Sequence, residues 1–257
     1  ETSYPVYLLP PEFDAYDFDS QMPVEECANM LIMFEALYKF GGERDLFLKN
    51  DELCEKWVEY LVKYGLKPDV QLCTDDFAGH LRNNLNLAIK AVIGIACYAE
   101  LKDDEKHRQI AKDYAEKISA FILEFDHSPL TWDSGDETFS LKYNFAFDKI
   151  FGLGLFKQSL LEREVDYCLT RIKKFGIPLD SRKEYTKSDW LMWLARLTDN
   201  KEKRNKIIAA VNSFLTESPN RVPFSDWYDT VGGEAINTSY YKFVARSVQG
   251  GCFILLI

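Results

Sequence analysis

Three carboxylates stand where acid and base chemistry could be done: Glu26 just after Pro23, Asp76 at the end of the paired Asp75-Asp76, and Asp189 behind Ser188. Each lies where a loop enters an apolar run. The same kind of entrance also holds His80, Tyr143, Lys149, Arg182, Lys187 and Trp227, the last leading on to Arg246, and Trp132 sits in a loop. Closely spaced carboxylates push one pKa up and another down, which supplies an acid and a base for adding water across a polar bond. Guanidinium groups beside them suit a substrate carboxylate, and loop aromatics can stack on a sugar or close a pocket. Glu26, Asp76 and Asp189 are therefore the candidate catalytic groups. Asp75, His80, Trp132, Tyr143, Lys149, Arg182, Lys187, Trp227 and Arg246 are the candidate substrate-binding groups.

Most of these residues also have a structural explanation. A helix start prefers a proline in its first turn and acids facing the positive end of its dipole, which accounts for Pro23, Glu25 and Glu26. Asp189 behind Ser188 is a first-turn acid in the same way. Trp190 and Trp193 at helical spacing suit a core. The Asp75-Asp76 pair is harder to explain so, because Phe77, Ala78 and Gly79 follow and the helix begins only several residues later.

The elements that must position these groups are helices of two alternating kinds. Val24–Phe40, Asn84–Leu101, Asn144–Phe156, Ser188–Leu197 and Tyr241–Ile257 are apolar nearly all the way round and must be covered on every side. Between them Arg44–Tyr64, Asp103–Phe125, Ser159–Phe175 and Lys201–Glu217 each carry a charged face and an apolar stripe. Gly, Pro, Asp and Asn clusters separate them, and no sustained two-residue alternation suggests a long strand. The pattern predicts an all-α fold, an α/α toroid of helical hairpins that this chain leaves incomplete, with an ordinary α-solenoid as the alternative. In such a ring every inner helix is entered from the same end, so the loaded entrances converge on one mouth.

With 257 residues, 47% of them apolar, the chain can bury a substantial core as a single domain over 1–257, led in by a loop over 1–22. Its 41 acidic and 31 basic residues give a net charge of −10, with no segregated basic run, so nucleic acid is not an expected partner. No apolar stretch reaches the roughly 20 uncharged residues of a membrane span. The chain opens directly in a loop, with no initiator Met, as expected of a portion of something longer. The six cysteines have no metal-like spacing and are expected as buried free thiols, with disulfides open to them in an oxidising compartment. No metal or other cofactor is expected: no H-E-x-x-H cluster exists, and the Asp14, Asp17, Asp19 trio lacks the glycine and distal glutamate of a calcium loop.

The strings MPVEECANMLIM, QLCTDDFAGHL, FSLKYNFAFDKIFGLGLF, GIPLDSRKEYTKSDWLMW, RVPFSDWYDT and ARSVQGGCFI, in this order, resemble the six-hairpin domain of the glutaminase A family over nearly everything from Met22 to Ile257. One departure is the stretch His80–Asn86, which lacks the alanine and histidine expected after its leucine. The resemblance implies a toroid related in shape to six-hairpin glycosidases, forming the C-terminal part of a secreted or periplasmic, fungal or bacterial protein. The N-terminal region of the same protein would be its partner. It also implies a small-molecule substrate, L-glutamine, hydrolysed to glutamate and ammonia. On that reading Asp76 or Glu26 activates water, Asp189 protonates the leaving ammonia, and Arg182 or Arg246 holds the substrate carboxylate. The residues by themselves leave open a six-hairpin glycoside hydrolase, with Glu26, Asp76 and Asp189 dividing the acid and base roles, and a non-catalytic carbohydrate-binding module.

Overall fold

A computed structural model describes residues 21–219, 222–236 and 243–257. The leading loop up to Ser20, with its aspartate trio, lies outside the described residues, as do Tyr241 and Lys242. Nine α-helices and two three-residue strands are found among the described residues, so the chain is all-α as its periodicity predicts. They fall into two compact units, one of residues 21–118 with Thr131–Asp133, the other of Ser119–Leu130 with the described residues from Ser134 to Ile257.

In the first unit, α1 (Pro23–Gly41) lies against α4 (Leu85–Lys102), with α2 (Asp45–Lys49), α3 (Asp51–Tyr64) and most of α5 (Glu105–Ile122) beside them. α4 is buried all round, and its start is fixed by Asn84, whose side chain accepts the Leu87 amide at 3.2 Å. Gly94 lets α1 approach: a Cβ there would stand 3.0 Å from the Ala28 Cα and from the Leu61 Cδ1. α5 buries His107, Ala111, Ala115, Ile118 and Ile122, the one-sided stripe expected of a surface helix.

Two expectations fail here. The segment Arg44–Tyr64 is not one helix: it breaks at Asn50, whose side-chain amide donates to the Leu46 carbonyl at 2.8 Å in competition with the helical ladder. Nor is α1 covered on every side, since Met33 and Phe40 are 62% and 60% exposed.

The second unit holds α6 (Phe145–Phe151), α7 (Gln158–Thr170), β1 (Tyr185–Lys187), α8 (Ser188–Arg196), α9 (Lys201–Glu217) and β2 (Trp227–Asp229). β1 and β2 pair antiparallel, with Lys187 opposite Trp227. α9 starts at Asn200, which caps the Glu202 and Lys203 amides, and a small core stacks Phe214 on Tyr228 at 3.5 Å beside Phe175.

α6 is shorter than its apolar run. Gly152 ends it in the left-handed conformation (φ 71° is seen at Gly42 of α1, 67° here), and the Asp148 carboxylate then takes the Leu155 and Phe156 amides at 3.0 Å each. Likewise α7 stops at Thr170, before Phe175. The largest departure is at the C-terminal end of the chain. The expected buried helix over Tyr241–Ile257 is instead a 3-10 helix over Ser247–Leu256 with no buried residue, and Phe253 and Leu256 are 66% and 81% exposed. Gly250 and Gly251 in its middle disfavour an α-helix, and at the three-residue period of a 3-10 helix the consecutive Phe253, Ile254 and Leu255 fall on three different rows and make no single apolar face.

Candidate functional site

The candidate residues divide between the two units. In the first, the helical turn after Pro23 sends Glu25 inward and Glu26 outward: Glu25 is buried against α4, where its carboxylate pairs with the equally buried Lys90, and Glu26 is exposed. Asn29 donates to both glutamates at 3.4 Å. The first free amide of α1, that of Val24, is taken by the Gln71 side chain at 3.1 Å, which ties the loop before α4 to the start of α1. That loop carries Cys73 and Asp75, both buried, and burial followed by the negative charges of Asp75 and Glu25 holds the Cys73 thiol well above its ordinary pKa. Asp76 is half-buried and opens the 3-10 turn Asp76–Ala78, its carboxylate accepting the Phe77 amide at 2.8 Å. His80 is exposed, and Trp132 lies with the Lys67 ammonium 5.5 Å from its ring centre. The acid most closely engaged by the first unit is therefore Glu25, with Lys90, rather than Glu26.

In the second unit β1 runs straight into α8, and the pairing of β1 with β2 brings two Ser-Asp-Trp triplets together: Ser188-Asp189-Trp190 and Ser225-Asp226-Trp227. The Ser188 amide donates to the Asp226 carbonyl at 3.0 Å. Between the triplets sits the Lys187 ammonium, 3.1 Å from Asp226 and 3.6 Å from Asp189. Arg246 reaches the other side of Asp226 with two contacts, Nη2 at 2.7 Å and Nε at 3.2 Å. Asp189, Lys187 and Asp226 are 1%, 2% and 0% exposed, whereas about a third of the Arg246 side chain meets solvent. Two carboxylates and two cations thus form one desolvated, charge-balanced group, an arrangement that low dielectric makes strong only while every member is present.

Aromatic rings wall this group. Lys187 lies 5.2 Å from the centre of Trp190, Tyr143 stacks on Trp190 at 4.2 Å and 5°, and Phe243 meets both Trp227 (4.9 Å) and the Arg246 guanidinium (4.0 Å). The 3-10 helix closes in through Gly251, where a Cβ would stand 3.0 Å from the Asp189 Cβ and 2.8 Å from the Trp193 indole nitrogen. Next to it, burial pushes the Cys252 thiol up, its bond to Ser188 opposing, with Asp189 and Asp226 adding to the rise.

Of the residues expected to act, Asp189, Lys187, Arg246, Tyr143 and Trp227 are gathered here. Lys149 is engaged elsewhere: it reaches Asp199 at 2.8 Å, Gln158 at 3.1 Å and the Leu197 carbonyl at 3.3 Å, at the end of α8. Arg182 folds back onto Asp180, with Nη2 at 2.6 Å and Nε at 3.1 Å. Three groups at the centre of the clusters, Glu25, Lys90 and Asp226, were not among the candidates, and the last two left a trace in the sequence. Asp226 belongs to a repeated Ser-Asp-Trp triplet, and Lys90 is the one charged residue between Leu85 and Ala99, in the apolar part of α4. No group of His, Cys, Asp and Glu able to hold a metal occurs among the described residues, and no described helix is long and apolar enough to cross a membrane.

The described residues form an all-α chain of helices, and comparison with known sequences gives the family. The chain belongs to the glutaminase A six helical-hairpin domain family, whose model matches residues 3–256. It is 35% identical to a protein named glutaminase A from Aspergillus oryzae, over the whole of this chain and 38% of that protein. It is 30% identical to a probable glutaminase from Arthroderma benhamiae, over 81% of this chain and 28% of that protein. The chain thus spans less than two fifths of the length of these curated relatives.

Proposed function

We propose that the protein of which this chain is part hydrolyses the side-chain amide of L-glutamine, and that Asp189 is the group that moves protons in the reaction. The observation that carries this reading is the Asp189–Lys187–Asp226–Arg246 cluster, in a family whose named relatives are described as glutaminases. Asp226 is held between two cations and serves to fix them. Asp189, 3.6 Å from the same ammonium, is the carboxylate that this proposal sets beside the reacting amide. It takes a proton from water as the hydroxyl adds to the amide carbon, the Lys187 ammonium stabilises the oxyanion that forms, and the proton passes to the leaving nitrogen. One water and one amide give one ammonia and one carboxylic acid. Arg246, the partly exposed member, is the group that meets the substrate's α-carboxylate.

Glu26 and Asp76 in the first unit are the alternative groups for activating the water, and they are tested as Glu26→Gln and Asp76→Asn beside Asp189→Asn. A setting outside the cytoplasm, with the N-terminal region of the same protein as partner, belongs to this proposal too. Secretion of the full-length protein into culture medium would support that setting. Ammonia release from L-glutamine by the full-length protein, beside its cleavage of an arylglycoside panel, tests the reaction. Glycoside cleavage without ammonia would remove the reading.

A further inference from the structure

The second unit has an open cleft of about 290 Å³ that is separate from the aspartate pair. Glu184 lines it, and Lys187, which touches both aspartates, comes three residues later along the extended β1, a span of roughly 10 Å. In its lining the buried Asp180 and the exposed Arg182 neutralise one another. Three further cations line the cleft, Arg171, Lys173 and Lys183, and none of them forms an ion pair among the described residues. Glu137 and Glu184 line it as well. In a chain of net charge −10, a cleft whose unpaired groups are three cations and two acids is a local reversal of sign.

One of the cations is fixed in advance. The Arg171 guanidinium lies 5.5 Å from the Phe139 ring centre and 5.3 Å from that of Tyr167, and its Nη2 donates to the Tyr167 hydroxyl at 2.8 Å. Tyr167 is held in turn by stacking on His127 at 3.6 Å and 3°, and His127 Nε2 is 2.8 Å from the Thr138 carbonyl. A guanidinium whose rotamer is already set loses less entropy on taking a carboxylate, and its planar fork matches that group. The volume is at the small end of metabolite pockets. The surplus of one cation over the acids suits a ligand of net charge −1, and a molecule with two carboxylates and one ammonium meets both signs of the lining.

We propose that this cleft is a binding site for a small acidic amino acid, distinct from the reaction centre. The binding itself stands on the cleft alone. Only its meaning as product sensing rests on the glutaminase reading, whose product is such a molecule.

The test is calorimetric titration of full-length protein carrying Asp189→Asn with L-glutamate, glutarate, L-glutamine and inorganic phosphate, repeated after adding Arg171→Ala and Lys183→Ala, with circular dichroism to confirm folding. Saturable glutamate binding is expected, weakened about tenfold or more by the double substitution. Glutarate, which lacks the ammonium, and glutamine, which lacks the second carboxylate, should each bind more weakly. No saturable binding, binding unchanged by the double substitution, or phosphate binding as tightly as glutamate would overturn the proposal. Because no turnover is read, glutamate binding to the cleft of a protein that releases no ammonia would sink the reaction and leave the site standing.

Discussion

Glu35 offers a measurement in which the structure sets both sign and size. It lies on the buried face of α1, 0% exposed, and neither carboxylate oxygen has a hydrogen-bond partner among the described residues. Lys39 comes no closer than 3.9 Å. Burial pushes the carboxyl from 4.5 to about 7, against the pull of Lys39 and with a further push from Glu100. Between those two values the folded state holds a proton that the unfolded state has released, so the contribution of Glu35 is most favourable below pH 4.5 and is lost as the pH rises through 7. At about 1.4 kcal/mol per unit the full change is roughly 3 kcal/mol, and a value of about 2 kcal/mol allows for relaxation around the charge. Glu35→Met, similar in volume and apolar, removes the titration. Its stability relative to the parent chain should therefore rise by about 2–3 kcal/mol between pH 4 and pH 8. Urea unfolding of both chains at the two pH values, followed by tryptophan fluorescence, reads this as a difference of midpoints, and all other titrating groups cancel. A difference that stays constant with pH, or that favours the parent at pH 8, would refute the reasoning.

Other consequences can be checked on the same material. Lys90→Met strands the buried Glu25 carboxylate and should cost about 3–5 kcal/mol in urea unfolding, much of it recovered when Glu25→Met is added. Gly251→Ala places a methyl against Asp189 and Trp193, so thermal unfolding should show a loss of about 1–3 kcal/mol, and ammonia release by the full-length protein should fall with it. Glu162 is drawn down to about 2 in spite of partial burial, by Lys203, the Asp199 amide, Thr198 and Gln158. Its contribution is present above 4.5 and lost as the pH falls through 2, so Glu162→Gln should destabilise the chain at pH 6 and progressively less in more acid solution.

The helices were legible because burial is periodic. α4, α8 and α9 begin and end within a residue or two of the positions their apolar patterns and caps predict. The same periodicity could have sorted the two glutamates of α1: Glu25, Ala28, Ile32 and Glu35 recur at spacings of three and four, which puts Glu25 on the buried face and Glu26 outside it. What local pattern did not carry was tertiary. Nothing near Asp226 in sequence says that Lys187 will sit beside it, because that contact depends on pairing β1 with a strand some forty residues later. The C-terminal segment was misread for the opposite reason: its hydrophobicity is high, but Gly250 and Gly251 set its geometry. Lys149 and Arg182 have the right charge for a substrate carboxylate and are engaged by Asp199 and Asp180 respectively, a choice among acids that composition cannot make.

The central claim, that Asp189 in its cluster of paired charges moves the proton in amide hydrolysis, is tested most directly by ammonia release from L-glutamine by the full-length protein and its Asp189→Asn variant. The account predicts release by the parent protein and a fall of about a hundredfold or more in the variant, which keeps its fold by circular dichroism. Equal release by the two proteins, or none from the parent, would contradict it.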